Sequence, residues 1–344
     1  MIKNVYIAFV FCLLTNFLVA QDIHFSQFNM SPVNLNPAFT GFFDGDYRGV
    51  ANYRSQWSSV PVSYSTVSLQ ADMRHEMKKN VSDRVGLGIL FNNDVAGDSK
   101  YGTTQLYIPL SYIHKVSADS NFFMSLGLQP GISSVGFKTN KLSFDSQWDG
   151  DAYNPALATG ENFPLVKKTY FDVNTGLVLQ YQLKQRSAIT LGIALSHLTS
   201  PKISYFKNED IQLDPKLNSY LSYTYPIGPQ IDLSAEYLFQ KQGKYIENVV
   251  GARVAYTIPT KDVSAEKSGK QAVNAGMYLR TKDAPIFRVG YNINQWQFGI
   301  SYDVNTSAFK AATNRRGAIE FGLIYIFKKD KPFVPKKRAC PVYM

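Results

Sequence analysis

The stretch "IEFGLIYIF", Ile319–Phe327, sets a large apolar residue at every second position: Ile319, Phe321, Leu323, Tyr325 and Phe327. Glu320 and Gly322 stand between them. A period of two is the signature of a strand with one face against an apolar medium. The same pattern recurs along the chain. Trp296, Phe298, Ile300, Tyr302 and Val304 oppose Gln295, Gln297, Gly299, Ser301 and Asp303. Phe287, Val289, Tyr291 and Ile293 oppose Arg288, Gly290 and Asn292. Runs of alternation bounded by turn residues give about fourteen strands. They lie near 46–54, 62–72, 85–92, 103–115, 121–136, 171–183, 187–198, 219–226, 230–239, 247–258, 271–280, 285–293, 295–304 and 317–327, the first two only weakly alternating. Glycine is frequent on the polar face, as at Gly86, Gly127, Gly176 and Gly299. A soluble sandwich would want bulk on its inner face. The pattern therefore predicts an all-β fold, a transmembrane antiparallel β-barrel over 46–327 with lipid outside and a polar lumen.

The start of the chain agrees. Lys3 precedes an apolar run from Val5 to Ala20, and Gln21 follows the small Ala20. This reads as a secretory signal peptide over 1–20. The run is shorter than the roughly 20 apolar residues of a spanning helix. Aromatic residues make up 14% of the 344, with 22 Tyr and 23 Phe, and charged residues 18%. Mean hydropathy is -0.18. Such a chain is polar on average because apolar residues occupy only alternate positions. Export makes nucleic acid an unsuitable partner, despite a formal charge of +10. Half of that excess sits in the basic tail 328–344, at net +5. The tail either keeps a terminus out of the membrane or docks an acidic partner or lipid head group. Lys336, Lys337, Arg338 and Cys340 are its docking candidates.

Connection lengths orient the barrel. With an even strand number both termini fall in the periplasm, and the long connections 137–170, 199–218 and 305–316 fall outside. Tight turns near Lys184–Arg186, Ile227–Pro229 and Asn294 fall in the periplasm.

No catalytic group emerges. In the barrel His114 and His197 belong to opposite ends of strands, too far apart to share a site across an apolar band ~25 Å tall. The loop Phe144–Asn154 holds Asp145, Asp149 and Asp151 around Gly150. Carboxylates near a glycine can bind calcium, but this spacing is not that of an EF-hand. These three are the metal candidates, against the reading of a solvated acidic loop. There is no phosphate loop, dinucleotide fingerprint or cysteine cluster. The expectation is no enzyme and no cofactor.

The segment Gln21–Gly45 is aromatic, rich in Asn and Pro, and lacks alternation. Phe25, Phe28, Leu35, Phe39, Phe42 and Phe43 require burial. Because the segment precedes the first strand, it is expected to start in the periplasm. It then either folds into the lumen as a plug or packs on the rim as a periplasmic collar.

The same residues carry a family resemblance. "QDIHFSQFNMSPVNLNPAFTGFFDGDYRGVANYRSQW", Gln21–Trp57, resembles the opening signature of the PorP/SprF family of the type IX secretion and gliding apparatus of Bacteroidota-type bacteria. Its elements are His24, Phe25, Ser26, Gln27 and Phe28; Leu35–Ala38 with Asn36, Pro37 and the following Gly41; Gly45–Arg48; and Tyr53, Arg54, Gln56 and Trp57. "GIALSHLTSPKISYF" (Gly192–Phe206) and "YLRTKDAPIFRVGYNINQWQFGISYDVNTS" (Tyr278–Ser307) extend it. The ending Ala339–Met344 is similar too, with Val342 where a basic residue is usual. The resemblance implies a non-enzymatic outer-membrane barrel with several partners. These are outer-membrane lipid, type IX components on the periplasmic side, and a large secreted adhesin at the external loops 137–170 and 199–218. The alternative is a plugged solute channel of the fatty-acid-transporter type.

Overall fold

The structure is a computed structural model. It describes residues 22–60, 62–77, 83–116, 121–163, 165–205, 211–259 and 271–329. The expected signal peptide and the docking candidates Lys336, Lys337, Arg338 and Cys340 lie outside them.

The described strands are β1 (Tyr47–Gln56), β2 (Tyr64–Glu76), β3 (Arg84–Ala96), β4 (Tyr101–Tyr107), β5 (Leu110–Lys115), β6 (Phe122–Gly136), β7 (Lys167–Lys184) and β8 (Ser187–Ser196). They continue with β9 (Lys216–Pro226), β10 (Ile231–Gln242), β11 (Tyr245–Ile258), β12 (Gln271–Arg280), β13 (Ala284–Ile293), β14 (Trp296–Val304) and β15 (Arg316–Phe327). Each of the fourteen spans expected from alternation overlaps one barrel strand, several of which run longer than expected. β4 and β5 are two halves of a single one, since both pair with β3 on one side and β6 on the other. The interruption falls at Ile108–Pro109, opposite Pro130 of β6. A proline has no N–H to give to a ladder. Sequence neighbours pair antiparallel all the way round, and β1 closes on β15 with Tyr47 opposite Phe327 and Gln56 opposite Ala318. The result is a closed fourteen-strand barrel.

Alternation sorts the two faces. On β14, Trp296, Phe298, Ile300 and Tyr302 are exposed on the outer wall, while Ser301 and Asp303 are buried inside. On β15, Ile319 and Phe321 face out and Glu320 faces in. The weakness of the signal in β1 has a simple cause. Its outer face carries the small Gly49, Ala51 and Ser55, and its inner face carries Arg48, Val50, Asn52 and Arg54, which are buried.

One end of the barrel holds the start of β1, the end of β15 and the tight turns at Arg186 and Asn294, both at positive φ. This is the short-turn end. The opposite, long-loop end carries the connections 137–166, 197–215 and 305–315.

Residues 22–46 run through the interior. They form three short turns, Phe28–Met30, Pro32–Leu35 and Pro37–Phe39. Pro32 and Pro37 each open a turn, where the missing N–H costs nothing. The expected starting point is corrected here. The Asp22 amide donates to Gln242 at the end of β10, and the Asp22 carboxylate sits 3.5 Å from Lys216 at the start of β9. Both lie at the long-loop end. The Asp46 amide then donates to Phe327 at the short-turn end. β1 and β10 run in the same direction in an alternating barrel, so the start of one and the end of the other are at opposite ends. The described chain therefore enters at the long-loop end and leaves at the short-turn end. Its two ends do not share a side as the even strand count suggested, because the segment crosses the barrel before β1 begins.

Candidate functional site in the barrel interior

The interior segment is held by apolar contacts and by buried charges from all round the wall. Phe28 and Leu35 pack on Tyr220, Leu238, Val249, Tyr278 and Ile286. Met30 meets Val50 and Ile324, and Val33 meets Leu90 and Tyr107. The glycines of the inner face make room for it. A Cβ placed on Gly127 would collide with the Ala38 backbone, and one on Gly176 with the Asn36 side chain. Asn36 explains its place in the signature. Its side chain accepts from Ala38 N at 2.9 Å and donates to Leu177 O at 3.0 Å and Ile193 O at 3.1 Å, joining the segment to two strands.

Near the long-loop end four wall side chains converge on Ser26 and Gln27. The Ser26 amide donates to Glu320 Oε1 at 2.6 Å, and the Gln27 amide to Glu320 Oε2 at 2.9 Å. The Ser26 hydroxyl donates to Asp303 at 2.6 Å and accepts from Arg54 and Arg280, using all its hydrogen-bonding capacity. Arg54 pairs with Glu320 and lies 3.4 Å from Asp303. Arg280 lies 3.1 Å from Asp303 and 3.5 Å from Glu247. Gln56 accepts from Arg54 at 3.0 Å. Unpaired charges this deep would be very costly, so the network stands because each charge has an opposite charge beside it, although Gln27 Oε1 and Asp303 Oδ1 accept no hydrogen bond.

Two further locks follow the segment. Arg48 grips Asp72 with two bonds, at 3.0 and 2.7 Å, and also donates to Phe39 O at 2.8 Å. Gly41, at φ +64, donates to Asp72 at 2.8 Å. At the long-loop end His197 Nδ1 lies 2.6 Å from Asp172, and Nε2 lies 3.4 Å from Asp22. Burial disfavours the His197 cation. The Asp172 and Asp22 carboxylates outweigh that and raise it to about 9. His24 lines a small pocket there with Asp22, Lys216, Gln240 and Gln242.

The structure thus brings Ser26, Gln27, Arg54 and Gln56 together, with Phe25, Phe28, Asn36, Pro37 and Gly41 along the same path. Tyr53 and Trp57 stand apart. Tyr53 is exposed on the outer wall, and Trp57 packs edge-on against Tyr64 and Phe309 at the rim. Sequence reading placed Arg48 only within the signature, without a role, and missed Asp72, Arg280, Asp303 and Glu320. The available signal was an ionisable residue on the inner face of a membrane strand. Asp145, Asp149 and Asp151 do not converge as ligands. Asp149 Oδ1 instead accepts from the Asp151 and Ala152 amides at 3.0 and 2.9 Å. Among the described residues no three His, Cys, Asp or Glu are gathered to hold a metal. His114 bonds Asp83 at the short-turn end, far from His197.

The model of the type IX secretion system membrane protein family PorP/SprF matches residues 18–325. The chain belongs to the PorP/SprF family. No curated protein matches it. Among solved structures, a TodX deltaS2S3 mutant, described as a monoaromatic hydrocarbon channel, is similar with a TM-score of 0.51 at 10% identity. The match covers 85% of this chain and 92% of that one. The Pseudomonas putida toluene transporter TodX is similar at 0.49 and 11%, covering 88% and 94%. A Pseudomonas aeruginosa FadL homologue is similar at 0.46 and 12%, covering 85% and 93%. At these identities the likeness is one of fold. Family and fold together make this PorP/SprF protein an outer-membrane β-barrel component of the type IX secretion system.

Proposed function

We propose that this barrel supports export or surface anchoring of a partner adhesin. In this reading the long-loop end faces outward and receives the adhesin at 137–170 and 199–218. The short-turn end meets the apparatus in the periplasm, and residues 22–46 act as a plug. The observation that carries the reading is the lumen itself. The segment is tied to inner-face side chains of β1, β2, β9, β10, β14 and β15. A lumen crossed by a bonded segment suits a scaffold better than a conduit. No step in this role requires catalysis. The rival reading, a plugged solute channel, needs a route past that segment or through the wall.

Deleting the gene and profiling surface proteins tests the proposal. Loss of an adhesin from the surface, with impaired gliding, is expected. Unchanged display and gliding would sink it, and a selective defect in small-molecule uptake would favour the channel.

A further inference from the structure

The short-turn mouth opens into a cavity of about 990 Å³. That is at the upper end of the roughly 300–1,000 Å³ typical of ligand pockets. Its lining has three chemistries. Phe39, Phe42 and Phe43 of the interior segment, with Phe123 of β6, supply aromatic surface. Gln180, Gln182 and Gln297 supply amides. Arg74, Arg84, Lys328 and Lys329 supply positive charge at the rim.

The cations are not equally engaged. Lys328 is paired with Asp44 at 2.9 Å, and Arg74 donates to Phe43 O at 2.6 Å. Lys329 Nζ lies 5.3 Å from the Tyr47 ring. Arg84 packs its guanidinium 5.9 Å from the Phe123 ring, and its Nε is buried with no hydrogen-bond partner. A buried donor without a partner carries a desolvation cost that an anionic ligand would relieve. Asp44, Asp46 and Glu76 also line the mouth, so cations still exceed acids there.

We propose that this mouth is a docking pocket for a short acidic peptide segment carrying apolar side chains, contributed by a partner polypeptide. A carboxylate would meet Arg84 and Arg74. An aromatic or aliphatic side chain would lie on Phe42 and Phe123, and the glutamine amides would bond the peptide backbone. Those amides favour a peptide over an acyl chain, which would want an apolar lining throughout. The proposal rests on the assignment of the short-turn end to the apparatus side.

The full-length protein in lipid nanodiscs is titrated with a fluorescein-labelled hexapeptide of alternating Asp and Phe. A Lys and Phe counterpart and sodium laurate serve as comparison ligands. The acidic peptide is expected to bind in preference to the basic one. Its affinity should fall roughly fivefold or more in Arg84→Gln and at an ionic strength of about 1 M, where the screening length is ~3 Å. Gln182→Trp, at an exposed position in the lining, should obstruct binding without touching the buried network. Equal binding of the two peptides would overturn the proposal. So would acidic-peptide binding that ignores Gln182→Trp, or laurate binding with no peptide binding. This titration does not involve secretion. A gene deletion that leaves adhesin display intact would therefore remove the functional reading and leave the pocket result to stand or fall separately.

Discussion

Arg54 on the first strand and Glu320 on the last lie directly opposite each other across the closure of the barrel, paired and only 3% and 2% exposed. Between them they hold the Ser26 and Gln27 of the interior segment. The closing seam and the segment are thus one structure. Anything that loosens the pair should loosen both.

Glu320→Ala leaves Arg54 buried without its nearest carboxylate and strips the acceptor from two segment amides. Breaking a buried pair from one side costs about 3–5 kcal/mol. The expected outcome is a lower temperature for the loss of the compact barrel band on heat-modified gels. The double replacement Arg54→Met with Glu320→Leu should recover part of that loss, since no charge is left alone.

Gly127→Val should displace the segment near Ala38, because the added side chain has no room behind the backbone. Gly49→Ala is the matched control, with nothing within 4 Å of its new Cβ. Bilayer recordings should show raised ion conductance for the first and wild-type behaviour for the second. Deleting residues 22–42 should raise conductance further. No rise in either case would count against the plug.

Asn36→Ala removes the two hydrogen bonds that join the segment to β7 and β8, and a third within the segment from the Ala38 amide. A loss of about 1–3 kcal/mol is expected from the polar groups left behind. Urea unfolding in detergent micelles, followed by tyrosine and tryptophan fluorescence, would read it as a lower midpoint.

His197 sets a pH limit. Its value in the folded protein, about 9, stands above the ordinary 6.5. The stability it lends is therefore fully present below pH 6.5 and is lost as pH rises through about 9. A shift of that size corresponds to about 3 kcal/mol. Hydrogen exchange should show residues 22–30 protected at neutral pH and opening above pH 9. Asp172→Asn, which removes the main partner, should bring that opening to lower pH.

Much of the barrel was legible because alternation is local. Each strand from Phe122 onward announces its two faces within a few residues, whatever its partners. The interior segment was legible as a stretch of aromatics needing burial, and its signature residues Ser26, Asn36 and Gly41 proved to be points of contact with the wall. The charged lock was not legible. Arg54 and Glu320 are 266 residues apart and meet only because the last strand returns to the first. Tyr53 and Trp57 belong to the same sequence signature, yet one faces lipid from within β1 and the other packs at the rim, since β1 ends at Gln56 and Trp57 turns away at a positive φ.

By itself the sequence determined the class of fold, its strand count and the face that meets lipid. Those follow from a period-two pattern that each strand carries on its own. Only the tertiary structure decided the course of the first described residues, from Asp22 at the long-loop end to Asp46 at the other. That course depends on which inner-face charges the closed barrel brings within reach, and closure is a property of no single strand.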